Sequence, residues 1–145
     1  MSVIVWDGKT LAADTLATNG NLKRYTTKVW RMGDRLVGGA GTATGIQAML
    51  DWIEGGMKRE AFPKEDTSED SVVVWVVHKN GYVAKFEGGP YPITYHDETW
   101  ADGSGRDFAY GAMAMGADAA KAVEVACLYD AYCGGKVETV SFDRK

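Results

Sequence analysis

Lys28 opens the stretch Lys28-Val29-Trp30-Arg31-Met32, and in strand alternation it shares a face with Trp30 and Met32. That face looks toward a core, where an ammonium is costly unless it is paired. Either the lysine sits at a strand end and carries its amine out to solvent, or it is a held cation that needs a counter-charge. Asp130 poses the same problem. Ala119, Val123, Cys127 and Asp130 follow one another at helical spacing, which puts a carboxylate on an apolar stripe. The alternative is a helix-end aspartate bonded to nearby backbone. Ser104 stands three residues before Asp107, the spacing of a capping box, and by itself reads as a helix N-cap. Gly39-Ala40-Gly41-Thr42-Ala43-Thr44-Gly45 lies between an expected strand and an expected helix. It is neither GxGxxG nor a P-loop, so its glycines serve close backbone approach or expose N–H groups at a helix start. His78 and His96 have no second ligand at metal spacing, and neither CxxC nor HExxH occurs, so no metal and no cofactor is expected.

These residues must be positioned by a mixed set of elements. Val3–Trp6, a turn at Asp7-Gly8 and Lys9–Asp14 read as a hairpin, and Lys28–Met32 with Arg35–Ala40 read as another around Gly33-Asp34. Ile46, Met49, Leu50 and Ile53 mark an amphipathic helix over Thr42–Glu54, stopped by Gly55-Gly56. Met57–Asp70 is polar and reads as a surface loop. Val72–Val77 and Tyr82–Phe86 are strands joined through Asn80-Gly81. A helix is expected from Ser104 through Ala114, a third from Asp118 to Tyr132, and a last strand over Val137–Phe142. Strands, helix, strands, helices and strand make an α+β layout, most economically a sandwich of two sheets with helices outside it.

Composition narrows the function classes. The 145 residues, 46% apolar and 25% charged, suit one globular domain spanning 1–145. Lys+Arg 16 against Asp+Glu 20 leaves a net charge of −4, so the basic footprint of a nucleic-acid binder is missing. The 18 glycines exceed ordinary usage without a collagen period and imply tight turns and close approaches. The longest strongly apolar run, Val72–Val77, is far short of the roughly 20 residues of a membrane span, and no membrane partner is expected. MSVIVWDGKT has no basic n-region and reads as no signal peptide. Cys127 and Cys133 stand six apart on one helix and its end, where their side chains diverge; free thiols and a cytoplasmic location are the expectation.

The order of motifs carries more than any one of them. Thr10-Leu-Ala-Ala-Asp14-Thr-Leu-Ala-Thr18, Lys28, Ala40-Gly-Thr-Ala43, Gly103-Ser-Gly105 and Tyr129-Asp-Ala-Tyr-Cys-Gly-Gly135 follow in sequence across nearly the whole chain. The set resembles the proteasome β-subunit and HslV peptidase family of N-terminal-nucleophile hydrolases. The resemblance implies a four-layer αββα sandwich, reduced in size, and a threonine-type endopeptidase activity acting on peptide or unfolded protein. It also implies a homo-oligomeric ring and an ATPase unfoldase as partner.

Site roles follow from the resemblance by position. The nucleophile is the hydroxyl of Ser2 once Met1 is removed, with Asp14 and Lys28 beside it. Gly41 supplies the oxyanion-hole N–H, Ser104 and Asp130 support the terminal amine, and Cys133 stands where the family has serine or threonine. An α-amine of pKa about 7.7–8.0 can act as base toward its own hydroxyl, and a Lys28 ammonium lowers that pKa further. The chain departs from the family in its serine nucleophile and in a first hairpin about four residues shorter, a change of even number that keeps strand parity. Met57–Asp70 stands where relatives have a second long helix. Two other functions fit the residues: a proteasome-like subunit kept for assembly without activity, and a hydrolase of a small non-peptide amide.

Overall fold

The computed structural model describes residues 2–63 and 72–143. Strands β1 (Val3–Trp6) and β2 (Thr10–Ala13) form the first hairpin. Asp7 makes its turn: one carboxylate oxygen accepts from the N–H groups of Lys9 (2.9 Å) and Thr10 (2.7 Å). That bond draws Lys9 into the turn, and β2 begins one residue later than the turn dipeptide suggests.

Strands β3 (Leu16–Asn19) and β4 (Leu22–Tyr25) make a separate two-stranded ribbon that the sequence pattern does not reveal, because every residue of β4 is exposed. Strands β5 (Val29–Met32) and β6 (Arg35–Ala40) lead into helix α1 (Ala43–Glu54), whose N-cap Thr42 accepts from the Gly45 N–H. A short 3-10 turn at Arg59–Ala61 follows, holding Phe62 edge-on against Trp52 at 4.9 Å. The rest of the expected polar loop, 64–70, lies outside the described residues.

Strands β7 (Val73–His78), β8 (Val83–Glu87) and β9 (Ile93–Tyr95) complete a five-stranded antiparallel sheet, ordered β5-β6-β7-β8-β9. Strand β10 (Trp100–Gly103) returns to the first sheet and pairs with β1. Helices α2 (Arg106–Ala114) and α3 (Ala119–Tyr129) and strand β11 (Glu138–Ser141) close the chain, the four-stranded sheet being ordered β10-β1-β2-β11.

The chain is thus α+β, with two larger sheets and three helices among the described residues. Three apolar clusters follow the strand period of two. Val3 and Val5 join Ala12 and Ala101 against Ala122, Val123 and Ala126 of α3. Ile4 and Trp6 face the other way, with Leu11 and Trp100, against Leu36, Trp75 and Val77 of the five-stranded sheet. Val37, Val74 and Val76 on that sheet's other face pack against Met49, Trp52 and Ile53 of α1. Among the described residues no helix is long and apolar enough to cross a membrane.

Two helix boundaries correct the sequence reading. Helix α3 stops at Tyr129, not Tyr132, and Asp130 is its C-cap residue in extended backbone, ψ 122°, rather than a carboxylate on the apolar stripe. The Asp130 side chain accepts from the Tyr132 N–H at 2.9 Å, a local bond that competes with another helical turn. Helix α2 is capped by the Gly105 backbone with no side-chain bond. Ser104 is therefore not its N-cap, because its hydroxyl is turned to Ser2 instead.

Candidate active site

Among the described residues four polar or charged ones are buried, and they are neighbours in the fold: Ser2, Asp14, Thr15 and Lys28. Asp14 follows β2 on the four-stranded sheet, and Lys28 precedes β5 on the five-stranded one, so their contact joins the two sheets. Lys28 Nζ donates to Asp14 Oδ1 at 2.8 Å and to the Leu16 carbonyl at 2.7 Å. Asp14 also accepts from the Val3 N–H (3.1 Å) and, on its other oxygen, from the Gly134 N–H (3.1 Å). Of the two alternatives for Lys28, the amine turns inward to a carboxylate rather than out to solvent. Charge-assisted bonds on both oxygens offset the cost of taking the pair out of water.

Gly41 follows β6 with φ +131° and is exposed. Ser2, Lys28 and Gly41 line one cleft of about 470 Å³, walled further by Trp30, Ile46 and Leu50. Ser2 immediately precedes β1 of the four-stranded sheet; Lys28 precedes β5 and Gly41 follows β6 of the other. The cleft therefore lies where the two sheets meet.

The Ser2 backbone is held from the side of α2. Its carbonyl accepts from the Gly105 N–H (3.3 Å) and from Ser104 Oγ (3.4 Å). Ser104 Oγ lies 3.8 Å from Cys133 Sγ, which donates to Asp130 Oδ2 at 3.3 Å. Burial works against the Asp130 charge, but hydrogen bonds from Tyr132, Ser104 and Cys133 outweigh it and keep the carboxyl below its ordinary range. The Cys133 thiol is pushed up to about 12, by burial first and then by Asp14 and its bond to Asp130. Burial and Asp14 likewise raise Cys127 to about 11. Both thiols stay protonated at neutral pH, so Cys133 is a hydrogen-bond donor to Asp130 and not a thiolate.

The six other sequence-selected residues thus connect to Ser2 directly or through one another. Lys28 and Gly41 share its cleft, with Asp14 behind the lysine; Ser104, Cys133 and Asp130 form a chain on the other side. Sequence reasoning missed the supports. Thr15 Oγ1 donates to the Lys136 carbonyl (2.8 Å), tying the 133–136 turn to the residue after Asp14. The Leu16 carbonyl that receives Lys28 has no side-chain signature. Gly103, at φ +97°, passes so close to the Ser2 carbonyl that a Cβ there would overlap it. Asp102, Trp75 and Lys85 join across the sheets beside that glycine. A carboxylate in a short apolar strand is the one signal that could have found them.

No family model matches the sequence, and no curated protein does. Solved structures do. HslV of Trypanosoma brucei is 22% identical, the match covering 97% of this chain and 98% of that one, with TM-score 0.67. Thiobacillus denitrificans BPH is also 22% identical, over 99% of both chains, with TM-score 0.67. Anbu from Hyphomicrobium sp. strain MC1, solved as a Gly-1 mutant, is 12% identical over 99% of this chain and 82% of that one, with TM-score 0.72. At these identities the likeness concerns backbone architecture over essentially the whole chain, and the protein accordingly has the fold of the HslV-type peptidases.

Proposed function

We propose that this chain hydrolyses peptide bonds with the hydroxyl of Ser2, on a single four-layer αββα domain of the N-terminal-nucleophile type spanning 1–145. The observation that carries the reading is the buried Lys28–Asp14 pair at a cleft also lined by Ser2 and Gly41. Removal of Met1, which lies outside the described residues, frees the Ser2 amine. That amine takes the hydroxyl proton as Ser2 Oγ attacks the scissile carbonyl carbon. The Gly41 N–H stabilises the tetrahedral oxyanion, a contribution of about 3 kcal/mol for a typical donor. The amine then gives its proton to the leaving nitrogen, the C–N bond breaks, and an acyl ester remains on Ser2. Water, deprotonated by the same amine, attacks the ester; the ester C–O bond breaks, Ser2 Oγ takes that proton back from the amine, and the acid is released. Lys28 favours the developing alkoxide and the neutral amine, Asp14 balances Lys28, and Ser104 and Asp130, joined by Cys133, orient the amine.

Protein from its native host should have an intact mass beginning at Ser2. A peptide epoxyketone, the class to which the epoxomicin solved with the T. denitrificans protein belongs, should modify Ser2 alone. Ser2→Ala should not react and should lose at least about 10³ in turnover, while Ser2→Thr should react. Protein verified to begin at Ser2 that neither reacts nor cleaves any peptide would sink the enzyme reading in favour of an assembly subunit.

A homo-oligomeric ring, fed by an ATPase unfoldase in the cytoplasm, completes the proposal. It rests on the outer face of α2 and α3, where Phe108 stacks on Tyr129 and Met115 and Leu128 are 89% and 74% exposed. Large apolar side chains grouped this way mark interaction surfaces. Light scattering at micromolar concentration should give a multiple of 15.7 kDa; a lone 15.7 kDa species would favour the small-amide hydrolase.

A further inference from the structure

Asp102 is out of place. Its register partner on β1 is Ile4, whose side chain lies in the apolar layer between the sheets, so β10 puts a carboxylate at the rim of that layer. Donors from the opposite sheet meet it there. Trp75 Nε1 of β7 donates to Asp102 Oδ2 at 2.8 Å, and Lys85 Nζ of β8 lies 3.5 Å from the same oxygen and 3.4 Å from Glu87. Burial works against the Lys85 ammonium, yet Asp102 and Glu87 outweigh it and hold its pKa above the ordinary lysine value. The other carboxylate oxygen, Oδ1, accepts from the Gly103 N–H at 2.9 Å. The Trp75 ring also stacks on Trp100, at the other end of β10, with centroids 3.9 Å apart. One residue of the five-stranded sheet thus grips β10 at both ends.

We infer that Asp102, with Trp75 and Lys85, is a positioning clip that aligns the two sheets and thereby sets Ser2 against Gly41 and Lys28. The candidate site is divided between the sheets, and an apolar layer alone has no directional contact to fix how they slide. The Lys28–Asp14 pair fixes the alignment on the cleft side, and Arg31 bonds the carbonyls of Ser141 and Phe142 at the β11 edge. The Asp102 clip fixes it at the β10 edge. Through Oδ1 it also orients the peptide entering Gly103, which packs on the Ser2 carbonyl, and so leads into the Gly105 N–H that bonds the same oxygen. A misplacement of about 1 Å in a site of this kind lowers rates by up to about 10².

This inference rests on the proposed nucleophile, and its test separates the two. Asp102→Asn keeps shape but has one acceptor oxygen where Asp102 uses two, so either the cross-sheet bond or the Gly103 bond is lost. The peptide epoxyketone should modify Ser2 about tenfold more slowly in the variant, with half-saturation changed less than about twofold, because the cleft walls are untouched. Amide exchange at Gly105 should quicken about tenfold while the amides of β6 and β7 do not change. Equal labelling rates, or unchanged Gly105 exchange, overturn the clip and leave Ser2 as proposed. If the epoxyketone does not label the wild-type protein at all, the Ser2 reading falls, and Gly105 exchange alone decides the clip. Trp75→Phe leaves an aromatic ring facing Trp100 while removing the Nε1 donor together with part of the indole volume. It should shift both readouts in the same direction by a smaller factor, and it replaces Asp102→Asn should that variant not fold.

Discussion

Lys28→Met should yield a folded protein that hydrolyses nothing. Methionine fills the volume of the lysine stem, so the packing beside Trp30 survives. What is lost is the ammonium, and Asp14, with no exposed surface, keeps only the N–H groups of Val3 and Gly134 among the three donors seen on it. Breaking a buried pair on one side costs about 3–5 kcal/mol, and the two remaining bonds place this variant at about 3. A domain of ordinary stability, about 5–15 kcal/mol, survives that loss. Turnover should fall by at least about 10³, since the charge that favours the alkoxide and the neutral amine is gone. Adding Asp14→Asn removes the uncompensated charge and should recover about 1–2 kcal/mol of stability with no recovery of turnover. Urea unfolding and peptide hydrolysis measured on the same preparations check both halves. Unchanged turnover in Lys28→Met would remove the lysine from the mechanism.

The elements legible in the sequence are those whose signal is local. Asp7-Gly8, Gly33-Asp34 and Asn80-Gly81 each lie between apolar runs, and each marks a hairpin of the structure. Ile46, Met49, Leu50 and Ile53 trace the face that α1 lays on the five-stranded sheet. Strand β4 has no such signal. Leu22, Lys23, Arg24 and Tyr25 are all exposed, and a ribbon that buries neither face of a strand writes no alternation into it. Strand β10 is hidden for a different reason. Trp100-Ala-Asp-Gly is short and mixes an apolar layer residue with a charge, and its place is set by pairing with β1, almost a hundred residues earlier.

For the site, residue types were legible and geometry was not. Periodicity assigns Lys28 to an apolar face, and the structure gives that buried ammonium its counter-charge in Asp14. Periodicity then misdirects for Asp130, because a helix ends where its side chain competes for the next N–H, and a stripe extrapolated past that point has no meaning. Ser104 matches a capping box by spacing, yet its hydroxyl finds the Ser2 carbonyl, a partner 102 residues away that no window contains. The backbone acceptors and the cross-sheet contacts of Asp102 belong to the same class. They arise only when two sheets are brought together, so they leave no trace at fixed spacing.

Gly103→Ala should do the greatest damage of any single methyl group near the site, and Gly20→Ala is its control. Both glycines have left-handed φ, +97° and +62°, where an L side chain is strained by about 1–2 kcal/mol. Gly20 has open space around it, so its substitution should cost only that amount and leave epoxyketone labelling unchanged. At Gly103 the added Cβ overlaps the Ser2 carbonyl oxygen and comes within 3.3 Å of Val3 Cα, both of them backbone. No rotamer change relieves such a clash, so either β10 parts from β1 or the Ser2 backbone moves. The first route breaks pairing at Val3↔Gly103 and should bring the total cost to about 3–5 kcal/mol. The second preserves more stability but carries Ser2 away from Gly41, and labelling should fall by at least about 10². Thermal unfolding distinguishes the routes, and both predict loss of labelling. A Gly103→Ala protein that unfolds like Gly20→Ala and labels at the wild-type rate would mean that the approach of β10 to Ser2 is not what holds the nucleophile in place.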